Sequence, residues 1–427
     1  MSTSTIAAIA TGPARGGIGV IRLSGPSSLR AARKLAAALP SAPEPRHAYL
    51  VQLGAESMLD EGLALYFPAP HSVTGEDVVE LHAHGSPRLL SLLLSKLLEG
   101  GEVRLAEAGE FTRRAFLNGR IDLARAEAVA DLVAADSERA VRAAASQLAG
   151  GLSERVRAVR APLLELHADL EAALDFPDEA EESELDLPRR VGEQLAAVTS
   201  LAEATRRGAV VRRGARVVLH GPANAGKSTL FNALVGEDRA LVDAEPGTTR
   251  DALEAKLEWN GLAVTLVDTA GLREPGSRVE AMGIERTVAA VKGADLAVRL
   301  VLAGEPLPQV DAGVLVVSSK SDLSPAPAGA LAVSGLTGAG IDALRSAILE
   351  RLALAALDVV LTSERHLDSF ERAQQALLRA EQAVKAATLE VVAGEVGLAV
   401  AALGEVTGEN AAQDLIDAIF RRFCIGK

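Results

Sequence analysis

The period of the apolar positions changes along the chain, and the changes divide it. Residues 6–25 alternate as IAAIA, a Gly/Pro-rich connection TGPARGG, then IGVIRLSG, which predicts a β-hairpin. Helical spacing over 28–39 ends at the Pro-rich SAPEP. Strand patterns at 48–53 and 62–67 precede the turn PAPHSVTGED. Another strand is expected at 78–82, an apolar helix at 87–98, and a strand and loop in VRLAEAGEF. These first 115 or so residues read as an α+β domain. From Phe111 the period becomes 3.6, with helices expected at 111–118, 123–135, one long helix at 137–174, and 188–208 after an acidic loop that starts at Asp175. Helices return at 363–394 and 398–419. Between the two helical blocks, from 214 to about 355, strands and helices alternate. The simplest architecture is a nucleotide-binding α/β domain inserted into a helical domain whose halves meet across it.

Composition narrows the picture only a little. A length of 427 residues suits two or three domains, and 48% apolar with 24% charged residues is ordinary for a soluble protein. No run of eighteen apolar residues is present, so no membrane span is expected, and the N-terminus lacks the features of a secretory signal. The single cysteine, Cys424, fits a reducing, cytoplasmic setting. A net charge of -13 argues against indiscriminate nucleic-acid binding but leaves room for a local basic patch.

The chemistry is densest from Arg216 to Thr229, RVVLHGPANAGKST. An apolar strand leads into Gly221-x-x-x-x-Gly226-Lys227-Ser228, and a helical pattern follows, the setting of a P-loop. Backbone N–H groups there converge on a phosphate, Lys227 would reach the β- and γ-phosphates, and Ser228 would ligate Mg²⁺. Further on stands Asp243-Ala244-Glu245-Pro246-Gly247-Thr248-Thr249-Arg250-Asp251, a loop able to supply a threonine to Mg²⁺. The strand at 263–267 ends in Asp268-Thr269-Ala270-Gly271, where a carboxylate suits Mg²⁺ through water and Gly271 N–H suits the γ-phosphate. After the apolar strand 314–317 comes Ser319-Lys320-Ser321-Asp322, whose carboxylate can accept from guanine N1 and N2. Ser334-Gly335-Leu336 resembles the loop that packs on the base. In this order the motifs read as a GTPase. Two positions depart from the usual pattern: Ser319 stands for the customary Asn of Asn-Lys-x-Asp, and Leu272 stands where Ras-like enzymes carry a water-orienting Gln.

With these motifs in view, the chain resembles the tRNA modification GTPase family called MnmE or TrmE. The resemblance also rests on ARGGIGVIRLSG (14–25), TGEDVVELHAHG (74–85), GEFTRRAFLNGRIDLARAEAVADL (109–132), DFPDE (175–179), GTTRD, DTAGLRE and the terminal FCIGK. It implies an N-terminal α+β domain (1–118) that dimerises and binds a folate. It further implies a split helical domain (119–212 and 357–427) and an inserted P-loop Ras-like α/β G domain (213–356). The implied activity is GTP hydrolysis coupled to modification of carbon 5 of wobble uridine in tRNA, in a heterotetramer with an FAD-dependent MnmG-type partner. The one-carbon donor would be 5-formyl- or methylene-tetrahydrofolate. Hydrolysis would depend on K⁺ and on G-domain dimerisation.

Carried over by position, Asn224 with Asp243, Glu245 and Thr248 would hold K⁺, while Ser228 and Thr249 would hold Mg²⁺. The remaining nucleotide contacts would come from Ala225, Gly226, Lys227, Thr229, Ala244, Pro246, Gly247, Asp268, Thr269, Ala270, Gly271 and the base loops. Catalysis would use Lys227, Thr249, Asp268 and Glu280, the last in place of the missing Gln; without the resemblance Glu280 is one acid of SRVEAMGIER, expected on a solvated helix. Arg22, Glu80, Arg120 and Lys427 would bind the folate, although Arg22 also fits a plain exposed strand position. Arg250, Arg273 and Cys424 are further candidates, and Cys424 between Phe423 and Ile425 reads more naturally as a small buried apolar residue. His82 and His84 suit a folate-pocket or core role better than a metal site. The arginines at 113, 114, 120, 125, 206, 207, 212 and 213 suit either solvated helix faces or tRNA phosphates. A switch GTPase acting in assembly, or a folate-dependent transferase with a regulatory G domain, would share many of these motifs.

Overall fold

The computed structural model describes residues 4–36, 38–54, 57–176, 186–236, 253–269, 287–302, 304–309, 313–352, 363–386 and 389–426. The chain forms two compact units, residues 1–130 with 403–427, and residues 131–402.

In the first unit, β1 (Thr5–Ile9), β2 (Gly16–Ser24), β3 (Tyr49–Leu53), β4 (Asp60–Phe67), β5 (Val78–Gly85) and β6 (Val103–Leu105) form a sheet in the order β3-β4-β5-β2-β1-β6. Only the β1/β6 pair is parallel. Period-two alternation gives the sheet two unlike faces. Ala7, Ile21, Leu23, Val79 and Leu81 are buried in one core with residues of α1 (Ser28–Leu35) and α2 (Pro87–Leu98). Proline at the first turn of α2 and the Ser86 side chain, which accepts from Leu89 N–H, start that helix at its expected residue. The other face carries Ile6 and Ala8 against Ala106 and against Phe111 of α3 (Glu110–Leu117). Helix α4 (Leu123–Ala134) follows, and the last helix, Gln413–Phe420, returns to this unit. There Phe420 and Phe423 join Leu123 and Ala126 in a small core.

The second unit holds α5 (Glu138–Ala149), α6 (Gly151–Asp175), α7 (Leu187–Arg213), and then a second sheet. Its strands β7 (Ala215–His220), β8 (Leu253–Trp259), β9 (Leu262–Asp268), β10 (Leu296–Leu302), β11 (Val314–Ser319) and β12 (Leu331–Ala332) run in the order β12-β11-β10-β7-β9-β8. All neighbours are parallel except β8 and β9. Helix α8 (Lys227–Val235) follows β7, α9 (Ile341–Arg351) follows β12, and α8 and α9 share the apolar core of this sheet. Then come α10 (Glu364–Ala386), α11 (Leu389–Thr407) and the returning α12 (Gln413–Phe420). Helices α7 and α10 lie antiparallel: Gln374 Nε2 donates to Thr199 Oγ1 at 2.8 Å, and Arg206 reaches Glu371 at 2.7 Å. The two helical blocks therefore meet across the inserted sheet, as expected.

Three expectations are corrected. The helix read at 137–174 is two helices, broken at Gly150, whose φ of 109° no helical residue shares. The break read between 394 and 398 does not occur. Gly397 lies inside α11, where a β-carbon would stand 2.8 Å from His167 Nε2, so this glycine serves a close helix approach. The helix read at 398–419 instead breaks at Gly408, where the N–H groups of Gly408 and Glu409 both return to the Gly404 carbonyl.

The β8–β9 hairpin went unread in the sequence although Asn260-Gly261 announces it. Both residues have positive φ, 49° and 76°, as a tight two-residue hairpin turn demands. Its tip also starts α5. Glu138 N–H donates to the Glu258 carboxylate at 3.2 Å, Arg139 N–H to the Gly261 carbonyl at 2.9 Å, and Ala140 N–H to Ser137 Oγ at 3.3 Å. The first three free donors of the helix are thus all satisfied, two of them by the hairpin. Gly261→Ala forces a side chain into the left-handed region, with its β-carbon 3.4 Å from Arg139 Cγ. We expect a loss of about 1 kcal/mol in unfolding free energy, read as a lower urea midpoint; an unchanged midpoint would show that the turn relaxes freely.

Candidate active site

Strand β7 sits at the centre of its sheet, between β10 and β9, and the chain leaves its carboxyl end directly into the loop 221–226. In open α/β sheets this is where ligands are held. A β-carbon at Gly221 would stand 2.6 Å from the Leu300 carbonyl, so the loop can pass close over β10 only with glycine there. Asn224 (φ 62°) and Gly226 (φ 81°) complete the turn, and Gly226 caps α8. Lys227 is buried, and its Nζ donates to the carbonyls of Gly221 (3.1 Å) and Pro222 (2.8 Å), so the ammonium is folded into the curl of the loop. Ser228 Oγ donates to Asp268 Oδ2 at 2.7 Å. That pair joins the first turn of α8 to the end of β9 and sets two hard oxygens side by side, a donor set that suits Mg²⁺. Thr269, also buried, donates to the Leu219 carbonyl at 2.9 Å and fixes the chain beyond Asp268 against β7. His220 was not singled out in the sequence. Its burial, with Arg299 and Lys227 close by, pulls its pKa below the usual range and keeps it neutral at the mouth of the loop.

The base loops converge on the same edge. Ser319 ends β11, with Lys320 (φ 58°) and an exposed Asp322 after it. Lys320 runs beside the P-loop: a β-carbon on Gly226 would lie 3.8 Å from its Cε. Ser321 N–H donates to the Val333 carbonyl at 3.1 Å, which ties this loop to the one that holds Ser334, Gly335 and Leu336. A β-carbon at Gly335 would stand 2.9 Å from the Leu230 nitrogen, so that loop lies directly on α8. Ala225 is buried, and Asn224, Ser228 and Thr229 are exposed around the same turn. The expected residues Asp243, Ala244, Glu245, Pro246, Gly247, Thr248, Thr249, Arg250, Ala270, Gly271, Arg273, Glu280 and Lys427 lie outside the described residues.

In the first unit, Arg22 and Glu80 face each other across β2 and β5, with Arg22 Nη2 2.8 Å from Glu80 Oε1. Both are half-buried, so Arg22 is no plain exposed strand residue. Its guanidinium stands 5.8 Å from the centre of the Phe111 ring, a contact missed in the sequence. His82 Nε2 lies 3.3 Å from Glu80 Oε2, while His84 is exposed and held by Asp60 at 2.8 Å. No cluster of metal-ligating side chains occurs among the described residues. Arg120 is exposed and lies along the TGED turn, its Cγ 3.2 Å from where a β-carbon on Gly75 would be. Beneath that turn is a charged knot: Arg114 bonds Glu76 and Glu110 at 2.8 Å each, Ser24 bonds both Thr74 and Glu76, and Arg104 bonds Glu110. The C-terminal segment pairs Ile425 with Ala108, and Gly426 abuts the Ile9 carbonyl. Cys424 is exposed, correcting its expected burial; its carbonyl bonds Gly109 N–H while its side chain turns out. The arginines considered for RNA are largely engaged: Arg113 pairs with Asp417, Arg206 with Glu371, Arg212 with Asp131 and Arg213 with Asp295, while Arg114 is buried.

A P-loop on the central strand, Ser228 beside Asp268, and two base loops on the same edge define a P-loop GTPase, an enzyme that hydrolyses GTP. Residues 123–424 match the family described as MnmE helical domain, and residues 5–120 the GTP-binding protein TrmE N-terminus. A protein of Myxococcus xanthus (strain DK1622) described as tRNA modification GTPase MnmE is 59% identical, covering 100% of this chain and 99% of that protein. One of Laribacter hongkongensis (strain HLHK9) with the same description is 45% identical, covering 99% of each. The FeoB G-domain from Methanococcus jannaschii aligns with 33% of this chain and 97% of its own at 23% identity, with a TM-score of 0.25. The chain belongs to the MnmE family. No helix among the described residues is long and apolar enough to cross a membrane.

Two outcomes follow from this geometry. Asp268→Ala removes the partner of Ser228, and GTP turnover should fall by at least about a hundredfold; near-normal turnover would remove Asp268 from the site. Glu110 gives a pH test. Burial alone would raise its carboxyl, but Arg104, the Glu107 N–H and Arg114 outweigh it and hold it at about 2, below the ordinary 4.5. A carboxyl depressed by folding stabilises the protein above its unfolded value, and that stability is lost as pH falls from 4.5 towards 2. Wild type should therefore lose up to about 3 kcal/mol more than Glu110→Gln over that window, measured by urea unfolding; parallel pH curves would contradict the assignment.

Proposed function

We propose that this GTPase acts in the cytoplasm on tRNA, together with an FAD-dependent MnmG-type partner in a heterotetramer. The reaction installs an aminomethyl or carboxymethylaminomethyl group on carbon 5 of the uridine at position 34. The one-carbon unit comes from a 5-formyl- or methylene-tetrahydrofolate. The observation that carries this reading is the full-length match to relatives described as tRNA modification GTPase MnmE, extending into both units. The first unit supports it chemically. Glu80 suits the donor N–H groups of a pteridine, and Arg22 and Arg120, with Lys427, suit the carboxylates of a folate tail. A switch GTPase without a folate leaves the paired Arg22 and Glu80 without a task. Exposed apolar side chains on β3 and β4 and between them, Leu50, Leu63 and Met58, support homodimerisation through this unit.

In the second unit, Ser228 and Thr249 would hold Mg²⁺, which would screen the phosphate charges. Asn224 with the backbone of 243–248, including Asp243, Glu245 and Thr248, would hold K⁺, which would supply the charge neutralisation that an arginine finger gives in other GTPases. Glu280 orients the attacking water, and Arg250 and Arg273 contact the facing G domain. The domain limits follow the family: 1–118, 119–212, 213–356 and 357–427.

The test is turnover of GTP by the purified protein in matched KCl and NaCl, with ATP as control. Hydrolysis of GTP alone, faster in KCl by at least about tenfold, is the expected result. Slow hydrolysis indifferent to the cation would overturn the K⁺-dependent mechanism and favour a switch that awaits an outside activator.

A further inference from the structure

Ser319 has 4% of its surface exposed, and its hydroxyl donates to the Val301 carbonyl at 3.1 Å. The strand register accounts for that direction. Leu302 of β10 stands opposite Ser319 of β11, so the carbonyl just before it is the nearest acceptor on the neighbouring strand. A serine hydroxyl carries one hydrogen. With that hydrogen directed to Val301, the side chain has only lone pairs to offer elsewhere. Guanine N7 is itself a lone pair, and two acceptors do not bond. An asparagine, customary at this position, would bring an NH₂ group instead. The aliphatic chain of Lys320 runs beside Gly226 of the P-loop. Asp322 stands exposed on the same loop, and its carboxylate matches the N1–H and N2–H₂ donors on the other edge of the base.

We propose that this chain recognises guanine through its N1/N2 edge by way of Asp322 and leaves N7 unread, because the Ser319 hydroxyl is turned to the neighbouring strand. Guanine is still preferred over adenine, whose N1 is an acceptor facing a carboxylate. What is lost is discrimination at the imidazole side of the purine.

The experiment is competition of GTP, 7-deaza-GTP, ITP and ATP against a fluorescent GDP analogue on the full chain. In 7-deaza-GTP a C–H replaces N7, and ITP lacks the 2-amino group. Wild type should bind 7-deaza-GTP within about twofold of GTP and ITP at least about tenfold more weakly. Ser319→Asn should tighten GTP by about fivefold while leaving 7-deaza-GTP where it was. A wild-type loss of tenfold or more with 7-deaza-GTP (roughly one charged hydrogen bond) would overturn the proposal, as would an equal gain for both nucleotides in Ser319→Asn. ITP binding as tightly as GTP would overturn the part assigned to Asp322. Should Ser319→Asn fail to fold, the wild-type comparison decides by itself. Failure to bind any guanine nucleotide would overturn the site as a whole.

Discussion

A buried ammonium folded into the curl of the 221–226 loop is the constraint on which the second unit depends. Lys227 is held in the curl of the loop by the Gly221 and Pro222 carbonyls, and the loop can curl that tightly only because it crosses β10 without a side chain at Gly221. The positive end of α8 adds to the same field. Such a concentration of positive potential calls for a polyanion. The sheet supplies the room for one, because β10 and β9 leave β7 on opposite sides and open the carboxyl edge between them. Ser228, Asp268, Thr269 and the two base loops are arranged around that opening.

The first unit solves a different problem. Its sheet is antiparallel but for one pair, so one face can be given to a large apolar core and the other shared between a small apolar cluster and charge. Burying arginines and carboxylates is costly unless each is matched. Here the matching runs through a chain of partners, from Arg104 to Glu110, Arg114, Glu76 and Ser24. That chain ties α3 to the TGED turn. Arg22 and Glu80 on the neighbouring strands are matched by the same logic, while Arg120 is left exposed on the turn.

The parts of this molecule that were legible in the sequence are those whose cause is local. The hairpin at the N-terminus, the helix opening at Pro87 and the P-loop each follow from a few adjacent residues. The base loops were readable because their order after a P-loop restricts what they can be. Less legible were features whose cause lies elsewhere in the chain. Gly150 and Gly397 look alike in sequence, yet one breaks a helix and the other lets His167 approach. Cys424 has apolar neighbours in sequence, yet its side chain is exposed where its carbonyl accepts from Gly109 N–H. The arginines on α7 suited solvated helix faces or RNA phosphates until their acidic partners, 81 to 165 residues away on other elements, came into view.

The two hydrogen bonds that the β8–β9 hairpin gives to the start of α5 make the two elements thermodynamic neighbours. Strand β9 ends in Asp268, so the same rigid ribbon has a nucleotide site at one end and a helix start at the other. Coupling of this kind is reciprocal. Anything that draws the ribbon away leaves two helical N–H groups bare, at about 1 kcal/mol each, and anything that frays the helix loosens the ribbon by the same amount. The position of the ribbon and the first turn of α5 are thus linked in free energy through two hydrogen bonds.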